Sequence, residues 1–327
     1  MKAKHLISIL AVLLIAAPAI PARTARPVVP NASKEAKALL NYIYSVSGNM
    51  VLSGQQGMRE PDYVHEVTGR WPAIKGHDLI TERNNEREVQ SAIDWWNRGG
   101  IPTVMWHWGA PSIGEGYENS KKKIDIERCF QEGTPEYEAM WSDLKRIADW
   151  LTVLRDANVP VLWRPMHECD GDWFWYGKGT GEQFCRLWRT MFDYFTNERK
   201  LNNLIWVLCH CGDPLKEFDP GEGYYDIVGS DTYSKDRVKK DMYDKVVEIH
   251  GDARPVTFHE CGTIPDPDLC KEAGADWVWW MVWHSEYIRN YDKQELNRMY
   301  SHERIITLDE LPDIMKFRNS IRKKITR

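Results

Sequence analysis

Residues 161–168 read Val161-Leu162-Trp163-Arg164-Pro165-Met166-His167-Glu168, a short, mostly apolar run that breaks off in proline, histidine and a carboxylate. Its length and bulky side chains suit a buried strand, and the polar groups gather at the C-terminal end. The same arrangement recurs along the chain. Met50–Ser53 leads into Gly54-Gln55-Gln56, Ala73–Gly76 into His77-Asp78, and Pro102–Trp106 into His107-Trp108. Leu204–Val207 leads towards Cys209-His210, Ile227–Ser230 into Asp231-Thr232-Tyr233, Val256–His259 into Glu260, and Trp277–Trp283 into His284. Between the runs lie amphipathic segments at 87–98, 136–157, 181–199 and 236–250. In one of them Ile147, Trp150, Leu151 and Leu154 recur at helical spacing before Asn158-Val159-Pro160 stops the helix. Eight strand–helix alternations predict an α/β fold, a single (β/α)8 TIM barrel. No G-x-G-x-x-G follows the first run, which removes the reason to expect a dinucleotide fold. No Pro- or Ser-rich linker divides the chain, so residues 23–327 are read as one barrel domain.

Residues 1–22 read as a signal peptide. Lys2 and Lys4 precede the apolar run Leu6–Ile15, and small residues surround Ala17-Pro18-Ala19. The run is too short for a membrane span, and the expectation is a secreted, soluble chain with no span. With 43 Lys+Arg against 48 Asp+Glu, the chain lacks the basic surface that nucleic acid requires. The 16 Trp, twice the number of Phe, suggest surfaces that grip flat, hydroxylated ligands such as sugars. Export permits disulfides, and seven Cys leave one unpaired. Cys209-His210-Cys211 invites a metal reading. Its spacing is not that of a structural zinc site, and one bridged and one buried thiol is the expectation.

In a (β/α)8 barrel the C-terminal strand ends hold the chemistry. Two of the eight ends present Glu, Glu168 and Glu260, each preceded by His, on runs four and seven. A lone Glu is usually a solvated charge. Two carboxylates converging on one cleft meet the requirement for glycoside hydrolysis, one donating a proton and the other attacking the anomeric carbon. A metal-dependent barrel hydrolase would present H-x-H after the first strand and further His on strands five and six. The chain has Gly54-Gln55-Gln56 in the first place and no His after run six, so neither a metal nor a cofactor is expected.

Trp163-Arg164-Pro165-Met166-His167-Glu168 with Asp172-Trp173-Phe174-Trp175-Tyr176-Gly177 resembles glycoside hydrolase family 26, mostly endo-β-1,4-mannanases in a clan of retaining (β/α)8 glycosidases. Weaker pieces follow in the right order: Ser53-Gly54-Gln55, Trp106-His107-Trp108, Asn203–Trp206, Asp226–Tyr233, His259-Glu260 with Gly262, and Trp283. The resemblance implies that Glu168 is the general acid/base and Glu260 the nucleophile. It also implies that Tyr233 donates to Glu260, that His107 lines the cleaved-sugar subsite, and that Trp283 stacks under that sugar. His167 stands where most of the clan has an Asn touching the sugar 2-hydroxyl. Trp173 is expected to be an apolar wall that raises the Glu168 pKa. Strand alternation points Trp279, Met281 and Trp283 inward and Trp280 outward. Cys169 and Cys261, each directly after a catalytic Glu, depart from the family pattern and are read as members of separate bridges.

The implied protein is a monomeric endo-acting β-mannanase whose partner is its β-mannan polysaccharide. β-1,3-Xylanase and mixed-linkage β-glucanase activities belong to the same family. A non-catalytic glycan binder on this scaffold would have no use for both glutamates.

Overall fold

A computed structural model describes residues 25–318. The segment read as a signal peptide lies outside the described residues. In chain order the helices are α1 (Lys34–Val46), α2 (Glu60–Thr68), α3 (Glu82–Asn97), α4 (Tyr117–Ser120), α5 (Pro135–Asp156), α6 (Gly181–Asp193), α7 (Lys240–His250), α8 (Pro267–Ala273), α9 (Glu286–Arg289) and α10 (Lys293–Tyr300). The strands are β1 (Val51–Leu52), β2 (Gly54–Gln56), β3 (Ile74–Asp78), β4 (Ile101–Trp106), β5 (Val161–Pro165), β6 (Leu204–Cys211), β7 (Ile227–Asp231), β8 (Val256–Cys261), β9 (Trp280–Val282) and β10 (Ile305–Ile306). Strands β2 to β9 close in sequence order into a barrel, each pair parallel, which is the expected (β/α)8 architecture. Among the described residues, no helix is long and apolar enough to cross a membrane.

Local chemistry explains where the elements begin and end. Helix α5 starts with Thr134 accepting from the Tyr137 amide and Pro135 in the first turn. It buries Met140, Leu144, Ile147, Leu151 and Leu154 along one face, and Asn158 at φ 58° follows its end. A reciprocal Thr180–Gln183 capping box opens α6, which ends at Asp193 and continues as a π turn over Tyr194–Glu198. The segment expected to be helical from 236 begins only at Lys240. Asp236 instead folds its side chain onto the amides of Val238 and Lys239.

The first expected strand is split. Val51–Leu52 pairs with Ile305–Ile306 outside the barrel, and Gly54–Gln56 forms the barrel strand. Ser53 makes the break, because its hydroxyl donates to the Ile306 carbonyl and accepts from the Ala73 amide. Gly54 then passes so close to β9 that a Cβ there would lie 2.3 Å from the Trp280 carbonyl oxygen. On β9 Trp280 turns outward against Tyr300, as alternation requires.

Two sequence expectations need correction. Nine tryptophans (106, 108, 163, 175, 188, 206, 277, 279 and 280) are fully buried, so the Trp surplus mainly fills the core. Several find partners for their N–H groups, including Asp143 for Trp108 and the Tyr224 carbonyl for Trp188. The disulfides are also absent: all seven cysteines are free thiols. Their sulfurs face other groups. Cys209 donates to Asp231 at 3.0 Å, and Cys185 and Cys270 donate to the Glu217 and Arg237 carbonyls at 3.5 Å each.

Candidate active site

Strand β5 delivers Glu168 through a tight turn. Met166 and Glu168 both adopt positive φ, 44° and 51°, which side chains seldom accept. Surrounding bonds hold the turn. Gly171 N–H donates to the Glu168 carbonyl at 3.0 Å, Cys169 N–H to the Cys209 carbonyl at 3.1 Å, and the Tyr176 hydroxyl to the His167 carbonyl at 3.0 Å. Backbone strain of this kind persists only where the neighbourhood enforces it.

Strand β8 delivers Glu260 by a different device. Phe258 pairs with Trp280 and Cys261 with Val282, so β8 has one extra residue between the two pairs. That bulge re-aims the side chain next to it. Glu260 is 4% exposed and Glu168 7%, so both carboxyls stand at the mouth with little water around them.

Their partners differ. Arg164, a fully buried charge in the middle of β5, reaches Glu260 Oε2 at 3.2 Å and also pairs with Asp231. Asp231 in turn accepts from the Glu260 amide at 2.8 Å, tying β7 to β8. Tyr233 donates its hydroxyl to Glu260 Oε1. Burial, then the charge of Glu260, pushes the Tyr233 phenol far above its ordinary pKa, so it remains a donor. Each Glu260 oxygen therefore has its own donor.

Glu168 lacks such a cradle. Burial first, and the Glu260 charge second, push its pKa up to about 7. Arg164, a hydrogen bond from Trp173 and His107 pull the other way. Trp173 lies beside Glu168 as expected, but its contribution has the opposite sign. The indole Nε1–H donates to Glu168 Oε2 at 2.7 Å and so favours the ionised form.

The aromatic residues expected around the cleaved sugar do come together. The His107 ring lies 4.4 Å from His167, 5.4 Å from Phe174 and 5.9 Å from Trp283, centroid to centroid. Trp283 is half-buried at the rim, anchored by its amide to the Cys261 carbonyl. His107 is fixed by Asp78, which accepts from its amide at 3.1 Å and holds Nδ1 at 2.6 Å. Burial opposes a proton on His107, and Asp78 outweighs it, so the pKa is raised. His167 is fully buried. Burial, Arg164 and His107 hold its pKa well below the ordinary range, so the ring is neutral. Its ring packs 4.4 Å from His107 and 5.1 Å from Phe174, and neither ring nitrogen has a hydrogen-bond partner.

Arg164, Asp231 and Asp78 were not among the expected site residues. Their signal lay in the sequence: Asp78 and Asp231 stand at strand ends, and Arg164 interrupts an apolar run. A buried charge of that kind needs ionic partners.

Among the described residues, one group of donors could hold a metal ion: Cys169, Asp170 and His210, whose ligand atoms lie within 4.8 Å of one another. The Asp170 carboxylate is already occupied. Oδ1 accepts from the Cys211 amide at 2.9 Å, and Oδ2 from the Leu215 amide at 2.8 Å and His210 Nδ1 at 2.6 Å. This donor set is a closed hydrogen-bond cluster beside the Glu168 turn.

The model of the family described as Glycosyl hydrolase family 26 matches residues 28–310. The chain is 32% identical over 303 residues to a mannan endo-1,4-β-mannosidase of Thermothelomyces thermophilus, covering 86% of this chain and 62% of that protein. Over 294 residues it is 32% identical to a mannan endo-1,4-β-mannosidase of Bacillus subtilis, covering 79% and 80%. It spans about half the length of two Piromyces relatives, 53% and 50%. Among solved structures, a Podospora anserina GH26-CBM35 β-(1,4)-mannanase superposes with a TM-score of 0.84 at 31% identity, covering 92% of this chain and 72% of that one. A β-mannanase from a symbiotic protist of the termite Reticulitermes speratus, complexed with gluco-manno-oligosaccharide, gives 0.81 at 31% identity, covering 88% and 98%.

Proposed function

The chain belongs to glycosyl hydrolase family 26, and from that premise we propose that it is a retaining endo-β-1,4-mannanase. Its substrates on this reading are mannan, glucomannan or galactomannan. The observation that supports this most is the unequal treatment of two neighbouring carboxyls. Glu260 is anchored through both oxygens by Arg164 and Tyr233, while Glu168 is buried and raised to about 7. That division suits a nucleophile and a proton donor.

In the first step Glu168 gives its proton to the glycosidic oxygen as Glu260 attacks the anomeric carbon. The leaving chain departs as an alcohol and a glycosyl ester remains on Glu260. In the second step Glu168, now ionised, takes a proton from water, whose oxygen displaces Glu260 and retains the configuration. Tyr233 and Arg164 hold the nucleophile in line. Trp283 offers an aromatic face to the sugar at the rim, and Asp78 keeps His107 oriented in the wall. Neither step needs a metal or cofactor, so EDTA should leave the activity intact. The Lys-flanked apolar run within residues 1–22 supports export of the enzyme.

Purified locust bean gum, glucomannan, β-1,3-xylan and mixed-linkage β-glucan, assayed side by side, test the reading. Reducing ends and a ladder of oligomannosides from the mannans are expected. Turnover confined to the xylan or the β-glucan would move the substrate to another β-glycan. No turnover of any of them would leave only a glycan-binding role.

A further inference from the structure

The proposed reaction makes no use of Cys209-His210-Cys211 or of the polar groups around it. Cys209 bonds to Asp231 inside the barrel, and His210, one residue on, turns to the outer side of the wall. There it joins a buried chain of hydrogen bonds. Asp170 Oδ2 meets His210 Nδ1 at 2.6 Å, His210 Nε2 meets His250 Nε2 at 2.8 Å, and His250 Nδ1 meets the Tyr225 hydroxyl at 2.9 Å. The side chains of Asp170, His210 and His250 are fully buried, as is Tyr225. The chain links the loop after β5 to the end of β6, the segment two residues before β7 and the last turn of α7.

Asp170 accepts from His210 Nδ1, and the two ring nitrogens of His250 are taken by His210 Nε2 and the Tyr225 hydroxyl, with Asp219 Oδ2 3.9 Å from His250 Nδ1. Burial and the nearby His210 lower the His250 pKa to about 3, which keeps that ring neutral. Every polar atom along the relay is satisfied, and loss of one link strands a buried partner.

The relay ends on Asp170, two residues beyond Glu168. Asp170 also fastens the Cys211 and Leu215 amides, which ties the Glu168 turn to β6 and the loop after it. The Glu168 turn is strained at φ 51° and holds its shape only while such ties persist.

We infer that the Asp170–His210–His250–Tyr225 relay positions the carboxyl of Glu168 for proton donation, with His210, His250 and Tyr225 acting as positioning residues. This rests on Glu168 being the acid/base. Breaking the relay lets the turn relax and moves the proton donor, while Glu260, held from β5 and β7, keeps its place. Poor aim of an acid matters for a leaving group that needs its proton, and much less for one that leaves unaided.

The test compares kcat/KM on mannopentaose and on 2,4-dinitrophenyl β-mannobioside for wild type, H250L, H250Q, Y225F and E168A. H250L should lose about tenfold or more on mannopentaose, as a misplaced reacting group does. It should change by less than about threefold on the activated substrate, with KM for mannopentaose near wild type. H250Q, whose amide can donate and accept in the same places, should recover most of the loss. Equal losses on both substrates, or none on either, would overturn the relay's role. If H250L fails to fold by circular dichroism, Y225F decides by the same comparison. E168A guards the premise: if it shows no dependence on the leaving group, the acid/base assignment fails whatever the relay variants do.

Discussion

The indole N–H of Trp173 donates a 2.7 Å hydrogen bond to Glu168 Oε2, so the aromatic residue beside the acid stabilises its anion. Burial and the Glu260 charge act in the opposite sense and prevail, leaving Glu168 at about 7. Activity that needs protonated Glu168 should therefore decline as pH rises through about 7. Removing the indole donor with Trp173→Phe should raise the pKa further and move this alkaline limb upward in kcat/KM profiles on mannan. A downward move would contradict the geometry.

The same raised pKa affects stability. The folded state holds the Glu168 proton more tightly than the unfolded chain does. The stabilisation is therefore fully present below the unfolded pKa and is lost as pH rises from about 4.3 to about 7. Glu168→Gln removes this dependence. Its melting temperature relative to wild type should be higher at pH 8 than at pH 4, measured by calorimetry at both values.

General acid catalysis typically contributes ~10²–10⁴-fold, so Glu168→Ala should lower kcat/KM on mannan by at least ~10²-fold. An aryl mannoside with a good leaving group should suffer far less in the glycosylation step. Rescue of the second step by azide, giving a β-mannosyl azide, would identify Glu168 as the base as well.

Gly262 lets Tyr233 reach Glu260. A Cβ at Gly262 would lie 3.0 Å from Tyr233 Cδ1 and 3.2 Å from Tyr287 Cδ1, so Gly262→Ala should displace the phenol. Tyr233→Phe removes the donor to Glu260 outright. Roughly tenfold or greater losses in kcat are expected for both, as for other donors that support reacting charge, with a near-wild-type melting temperature for Tyr233→Phe. Unchanged kcat in Tyr233→Phe would exclude the phenol from the nucleophile's support.

Free cysteines make redox conditions irrelevant to the fold. Denatured, unreduced protein should titrate seven thiols, and dithiothreitol should leave the melting temperature unchanged. A lower count would reveal a bridge.

Much of this architecture is legible in the sequence because each barrel strand is buried on both faces and reads as an apolar run. The polar strand ends stand out for the same reason, and they include Glu168, Glu260, His107 and Tyr233. Long-range partners are harder to read. Ser53 breaks the first run by bonding to Ile306, and Asp236 delays α7 by bonding to nearby amides. Neither choice follows from periodicity. Trp173 illustrates the limit best. Its position beside the acid was inferable, but the sign of its effect depends on which edge of the indole faces the carboxyl. His167 likewise matched the motif, but its full burial among His107 and Phe174 depends on long-range packing that the motif does not carry.

The division of labour between the two glutamates has one most direct test. A 2-deoxy-2-fluoro-β-mannosyl fluoride should react with the enzyme and leave a stable ester, located by peptide mass spectrometry. The account expects one label, on the peptide containing Glu260. Label on any other residue, or no label together with products of inverted configuration, would contradict it.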